Sequence, residues 1–470
     1  MKKTLNLALW LFLAFAIFTT SCRKKEKDNL PGGGGDTETV GVQDKGKSIE
    51  ELAEQYFSEH KDESKYAEKL ISVANDFFVH NKKTEEFGKK KPCHIQPIYA
   101  YGIDGVAYYE IWLTEDDQNV KGWLLISATE NDFPLVNFSQ GVPYSSRLIT
   151  EHAVDGKVYR FGPSYFALEK NGQKTAEYGQ MPSIVYNTKD GRLGVEGSSK
   201  DRKSEVPAPK EGVDYFTVKG YESLKELYGK YYFSEGRKST AKTMNAELTK
   251  RKSSSANARI ASDYVYYWVD GPFCYYTQIP PNTGHNTYPC WSGCNNNAWA
   301  SLFGWWDLNK GKHNLIPTTS DGETSPQYRN TLARQNSVDP VQMKIRELCG
   351  TYCQHSSKGV GGSTNWSSMH RGTLYAESLG YECESQYQWC WFSGCRSHLA
   401  NVLTRGIANN GTPVIVGANS HMYVGWGYAQ MPGNTSATWA YCYPAWKENH
   451  DDDLWIPWQD FNATTNLTIK

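Results

Sequence analysis

Charge of one sign is what this chain lacks: 50 Lys and Arg stand against 51 Asp and Glu, a formal net charge of −1. That balance removes the basic footprint that nucleic acid or an acidic membrane surface selects, so neither is expected as a partner. Long apolar runs are scarce as well. After residue 22 no segment is long and apolar enough to span a bilayer. Repeats are absent too. The echo of Cys290-Trp291-Ser292-Gly293-Cys294 in Cys390-Trp391-Phe392-Ser393-Gly394-Cys395 is too short to build an array. Neither Cys349, Cys353 and His355 nor Cys390, Cys395 and His398 has a familiar zinc spacing, so no metal and no other cofactor is expected.

What is there points elsewhere. The 470 residues suffice for two or three domains with sizeable cores. Aromatic content is high, 14%, with 31 Tyr and 16 Trp. This favours a β-rich fold with broad aromatic surfaces and leaves saccharide binding as a secondary option. The N-terminus reads as a targeting segment. Lys2 and Lys3 precede an apolar stretch from Leu7 to Phe18, too short to span as a helix, and Thr19-Thr20-Ser21-Cys22 follows. A small residue before Cys22 is similar to a bacterial lipoprotein cleavage site, which implies lipidation at Cys22 and an exported chain. The protein is then an outer-membrane or cell-surface lipoprotein, or else secreted, meeting the membrane through its N-terminal lipid. Residues 23–47, with Pro31 and Gly32 to Gly35, form a flexible tether.

Ser48 to His80 carries a helical apolar face of Leu52, Tyr56, Leu70, Val73, Phe77 and Phe78. Strands are expected at Tyr108 to Leu113, Gly122 to Ser127 and Pro134 to Phe138. Two polar linkers follow, Gly197 to Gly212 and Ser234 to Ser262, the latter with Lys250-Arg251-Lys252-Ser253-Ser254-Ser255. Such segments bury too little apolar surface to pack and are accessible to proteases. The division is therefore an N-terminal domain over 48–200, a linker region with a processing site over 201–260, and a C-terminal domain over 261–470.

The most informative run is Pro289 to Asp307. A polar, Gly-containing loop delivers Cys294 to the first turn of a helix whose apolar residues at 298, 299, 302, 303 and 306 share one face. Unpaired backbone N–H groups and the helix dipole favour thiolate there, which suits a nucleophile. A structural disulfide is the alternative in a Cys-rich exported chain. Eight further cysteines after residue 270 (Cys274, Cys290, Cys349, Cys353, Cys383, Cys390, Cys395 and Cys442) form an even set that suggests disulfides without giving their pairing. Cys395 is the competing nucleophile, since it also follows Ser-Gly before a helix, His398 to Ile407; with no Gln partner upstream it reads as a disulfide cysteine, a catalytic role being the alternative.

A cysteine hydrolase needs a base and an oxyanion donor. His421 is the candidate base, at the opening of a strand after the buried strand and tight turn of Gly411 to Ser420. A core or edge histidine is the alternative. Gln278 is the candidate donor, sixteen residues before Cys294 (294 − 278).

Together these elements resemble the streptopain-like family of papain-like cysteine peptidases. The matching residues are Gln278, Pro281-Asn282, Cys290, Gly293-Cys294 with Ala298 and Ala300, and the Gly411 to His421 strand and turn. Lys121 to Ser139 looks like that family's propeptide. The resemblance implies an α+β, papain-like fold, with a helical half carrying Cys294 and an antiparallel β half carrying His421, preceded by an α+β propeptide-like domain. It implies a zymogen of a cysteine peptidase acting on peptide or protein substrates, with its own N-terminal domain as an internal partner. Two departures stand out. Asn295, Asn296 and Asn297 follow the nucleophile in place of the family's usual residues. No Asn stands near Tyr443-Pro444-Ala445-Trp446, where the family orients its histidine; Asn419, Asn449 or one of Asp451, Asp452 and Asp453 could serve instead. These departures also suit a papain-like surface protein without catalysis that binds peptide or glycan. A third reading makes the N-terminal half a permanent inhibitor.

Overall fold

The computed structural model describes residues 46–116, 119–152, 156–163, 165–179, 185–187, 192–194, 215–217, 220–233, 238–239, 241–246, 264–270, 273–317, 332–356, 359–389, 396–419, 421–430, 439–444 and 453–470. Cys22, Cys390, Cys395, Asn449, Asp451 and Asp452 lie outside them.

The apolar periodicity after Ser48 does form helix, in two pieces. Ser48 closes a capping box with Glu51 at the start of Ile49–Glu59. A 3₁₀ turn, Lys61–Tyr66, then leads to Ala67–Asn81. Leu52, Leu70, Val73 and Phe77 are buried as the periodicity requires. The helices pack on a sheet whose eleven strands are β1 (Lys91–Ile98), β2 (Tyr108–Thr114), β3 (Val120–Ser127), β4 (Leu135–Ser139), β5 (Val265–Trp268), β6 (Cys383–Trp389), β7 (Val414–Ala418), β8 (His421–Gln430), β9 (Trp439–Tyr443), β10 (Leu454–Pro457) and β11 (Phe461–Ile469). The order is β1-β2-β3-β4-β10-β9-β8-β7-β11-β6, with β5 pairing the far end of β8.

One sheet thus runs through both halves of the chain. The join is β4 against β10, where Phe138 faces Trp455 in register. Phe138 stacks on Trp455 with ring centroids 5.4 Å apart and meets Trp439 edge-on at 5.4 Å. Asn137 Nδ2 donates to the Trp455 carbonyl at 3.0 Å, and Ser139 Oγ donates to the Asp453 carbonyl. Tyr266 on β5 donates its hydroxyl to Asn81 on the N-terminal helix. The main hydrophobic core draws residues from Ile49 to Ile469, and Asp36–Lys470 is one compact unit.

Several sequence expectations need correction. Residues 241–246 of the second polar linker are helical and Ala241 is buried, so part of that linker packs. Tyr221–Leu227 is also helical, and Leu224, Leu227 and Tyr228 close a small aromatic core with Phe161 and Tyr165. The even cysteine set is not fully paired. Cys290 and Cys353 form a disulfide, whereas Cys274, Cys349, Cys383 and Cys442 carry thiols. Of these, Cys274, Cys349 and Cys442 are buried and act as small apolar residues of the core. The last strand, β11, lies between β7 and β6. No helix among the described residues is long and apolar enough to cross a membrane.

Candidate active site

Helix Cys294–Lys310 starts abruptly because Gly293 takes φ 104°, ψ 142°, a conformation open to glycine alone. The helix is not one-sided. Every residue from Asn295 to Asp307 is buried. It is a central helix packed between β8 and the helix Leu332–Cys349, so polar residues on its inner faces must find partners. Trp299 Nε1 donates to the Met369 carbonyl at 2.7 Å and Trp305 Nε1 to the Asp270 carbonyl at 2.9 Å.

The loop ahead of the helix is pinned from several sides. The Cys290–Cys353 disulfide ties it to the hairpin Tyr352–Ser356 and Gly359–Ser363. Arg346 Nη1 donates to the carbonyls of Trp291 (3.1 Å) and Ser292 (3.2 Å). Asn286 Nδ2 donates to the Cys290 carbonyl at 2.7 Å. Gly362 fits against Trp291 and Gly293 so closely that a Cβ on it would stand 2.4 Å from the Trp291 carbonyl oxygen.

Across the sheet, β7 ends at Ala418 and β8 opens at His421, the two residues facing each other in register. Asn419 turns the chain with φ 47°. The backbone N–H of Met422, next to the histidine, donates to Cys294 Sγ at 3.4 Å. The thiol is thereby bonded to the strand that opens with His421, 127 residues further along the sequence (421 − 294). His421 Nε2 bonds the Pro444 carbonyl. A carbonyl only accepts, so Nε2 carries the hydrogen and Nδ1 the lone pair. Tyr423 meets the imidazole edge-on, centroids 4.8 Å apart.

Sequence reasoning looked for a side chain to orient His421 near Tyr443 and missed the group present there, a backbone carbonyl. Residue type carries no signal for it. Of the proposed alternatives, Asn419 accepts no such role in the described contacts: its N–H donates to Asn462 Oδ1 at 3.0 Å. Asp453 Oδ2 accepts from the Tyr275 hydroxyl at 3.2 Å.

Burial dominates the protonation state. It pushes the Cys294 thiol up to about 11, although the N–H groups of Met422, Asn295 and Cys294 itself pull in the opposite direction. The helix-terminus effect expected from sequence is therefore present but outweighed by desolvation. Burial pulls His421 down to about 4, against the opposing bond to Pro444. In this conformation the pair rests as neutral thiol and neutral imidazole.

Gln278 is 5% exposed. Its neighbours are fastened to the segment before the nucleophile: Ser292 N donates to the Ile279 carbonyl at 3.0 Å, and Ile279 N donates to Ser292 Oγ at 2.9 Å. The structure thus joins the Gln278 segment to the Cys294 loop, while the Met422 N–H joins Cys294 to the His421 strand.

No family model matches the chain, and no curated protein matches it. The solved structures to which the chain is similar include three cysteine peptidase or UfSP structures. A prointerpain A fragment from Prevotella intermedia is 11% identical over 78% of this chain and 98% of that one, with a TM-score of 0.34. The active interpain A cysteine protease from the same organism is 12% identical over 44% and 97%, TM-score 0.26. UfSP from C. elegans is 14% identical over 47% and 37%, TM-score 0.26. Likeness at this level carries no weight for function, which rests on the site itself.

Proposed function

We propose that the chain is a cysteine peptidase of papain-like, streptopain-related architecture, made as an exported zymogen. One observation carries this reading: Cys294 Sγ, at the start of a buried helix, lies on the Met422 N–H beside a His421 whose Nε2–H is held by the Pro444 carbonyl. Nδ1, the nitrogen without the hydrogen, is assigned as the base. In the reaction Nδ1 takes the thiol proton and the sulfur attacks a peptide carbonyl. The oxyanion falls to the Gln278 amide and the Cys294 N–H, and the imidazolium protonates the leaving amine. Water, activated by the same imidazole, then cleaves the thioester.

The neutral resting pair and the sheet shared by both halves support a zymogen whose N-terminal half is still in place. A shift in burial at the cleft would lower the thiol and raise the histidine together. The alternative, a binding protein without catalysis, is favoured by that same neutral pair. Hydrolysis of fluorogenic peptides by the full chain, before and after limited proteolysis, separates the two. Activity that is lost in Cys294→Ala supports the peptidase. Peptide binding without turnover, equal in wild type and Cys294→Ala, overturns it. Export with a lipid on Cys22 is part of the same proposal, and fatty-acid labelling that persists in Cys22→Ser would remove it.

A further inference from the structure

Asn297, in the run Asn295-Asn296-Asn297, and the buried amide of Gln342 have no part in the chemistry just described, yet they are bonded to each other. Gln342 stands on the helix Leu332–Cys349 and is fully buried. Its Nε2 donates to the Thr277 carbonyl at 2.7 Å and to Asn297 Oδ1 at 2.9 Å. Its Oε1 accepts from Ser292 Oγ at 2.7 Å. The orientation of both amides is determined by carbonyls that can only accept: Thr277 O faces the Gln342 nitrogen, and Tyr276 O takes the Asn297 nitrogen.

These bonds bracket Gln278. The peptide before it is held through the Thr277 carbonyl. The peptide after it is held through Ile279 N, which donates to the same Ser292 Oγ that donates to Gln342. The third arm reaches Asn297 in the first turn of the nucleophile helix, whose N–H donates to the Gly293 carbonyl at 3.2 Å. One side chain therefore links the two segments that supply oxyanion donors, the Gln278 side chain and the Cys294 N–H. Asn296 braces the same turn: its Nδ2 donates to the Ser292 carbonyl, and Thr351 Oγ1 donates to its Oδ1 at 3.1 Å. An apolar residue at 342 would leave the carbonyls and hydroxyl facing it short of partners in a dry interior.

We infer that Gln342 is a positioning residue that sets the spacing of the oxyanion donors. This rests on the peptidase reading. The role predicts a selective defect. Attack on a peptide carbonyl moves the carbonyl π pair onto oxygen as the sulfur–carbon bond forms, and that oxygen needs both donors. Alkylation by iodoacetamide displaces iodide at a saturated carbon and develops no oxyanion.

The test compares Gln342→Leu with wild type on the full chain, both cleaved by the same limited proteolysis. The variant should lose about 100-fold in kcat with KM unchanged, the scale of misplacing a reacting group by about 1 Å. A peptide aldehyde, whose adduct oxygen sits on the donors, should bind weaker by a similar factor. The rate of Cys294 alkylation by iodoacetamide should hold. Gln342→Glu keeps the acceptor for Ser292 but sets an oxygen against the Thr277 carbonyl and Asn297 Oδ1, so it should show the same defect as Gln342→Leu. If Gln342→Leu does not fold, Ser292→Ala removes one arm and should show the same split, about tenfold in kcat, the scale of one lost hydrogen bond. Unchanged kcat, or alkylation falling in step with kcat, overturns the role. A wild type that turns over no peptide and takes up no aldehyde overturns the peptidase reading itself, and this role with it.

Discussion

At the scale of single residues, a neutral thiol beside a neutral imidazole makes a definite statement about pH. With Cys294 near 11, its alkylation in the intact chain should keep rising through the alkaline range. A plateau already reached at about pH 5 to 6, the behaviour of a thiolate–imidazolium pair, would contradict the resting state described here. The histidine adds a stability term. Its folded value of about 4 lies below the ordinary 6.5, so the folded state favours the neutral ring. That contribution is fully present above 6.5 and is lost as pH falls through 4, amounting to about 3 kcal/mol at most. Thermal melts of the intact chain should show a steeper acid loss than melts of His421→Asn. Gly293 offers a third check. Its φ of 104° excludes other residues, and a Cβ there would stand 2.9 Å from the Gly362 carbonyl oxygen. Gly293→Ala should cost about 1–3 kcal/mol in denaturant unfolding and displace the nucleophile's first turn.

At the scale of elements, β2 carries a buried carboxyl that titrates near neutrality. Burial raises Glu110 to about 7, against bonds from Ser145 and the Trp112 indole, the latter 3.0 Å. A raised carboxyl favours the protonated folded state. Its stability is fully present below about 4.5 and lost as pH rises through about 7, a penalty of about 3 kcal/mol above that point. Glu110→Gln should therefore raise the melting temperature at about pH 8 and change it little at about pH 5; equal effects at both would refute the assignment. The same strand shows what sequence can reveal. Strands β2 to β4 were legible because β-branched and aromatic residues run between clear polar turns. The turn before His421 was legible because glycine and asparagine punctuate it. Strand β11 was not, since Asn462, Thr464, Thr465 and Asn466 are buried polar residues that break any apolar alternation. Three of them find tertiary partners: Asn462 Oδ1 accepts from the Asn419 N–H, Thr464 Oγ1 donates to the Leu399 carbonyl and Asn466 Nδ2 to the Val402 carbonyl. The Asn295 to Asn297 run looked like a departure from a working site for a similar reason: Asn296 and Asn297 are bonded by Thr351 and Gln342, 55 and 45 residues further along the chain.

At the scale of the whole molecule, the shared sheet makes the two halves hard to part. Cleavage between them leaves Phe138 stacked on Trp455, the Asn137 and Ser139 bonds to β10, and the Tyr266 bond to Asn81. After limited proteolysis the two fragments should co-elute on gel filtration until denaturant is added. Prompt separation in plain buffer would show that the β4–β10 join is too weak to hold them. The join also sets a clock. Strand β4 leaves the ribosome long before its partner, because 318 residues separate Asn137 from Trp455. At roughly 5–20 residues per second, the edge of β4 waits about 15–60 s for β10 to be made. A half-finished sheet with an apolar edge open for that long is a place where a nascent chain can pair with the wrong neighbour, and where a chaperone earns its keep.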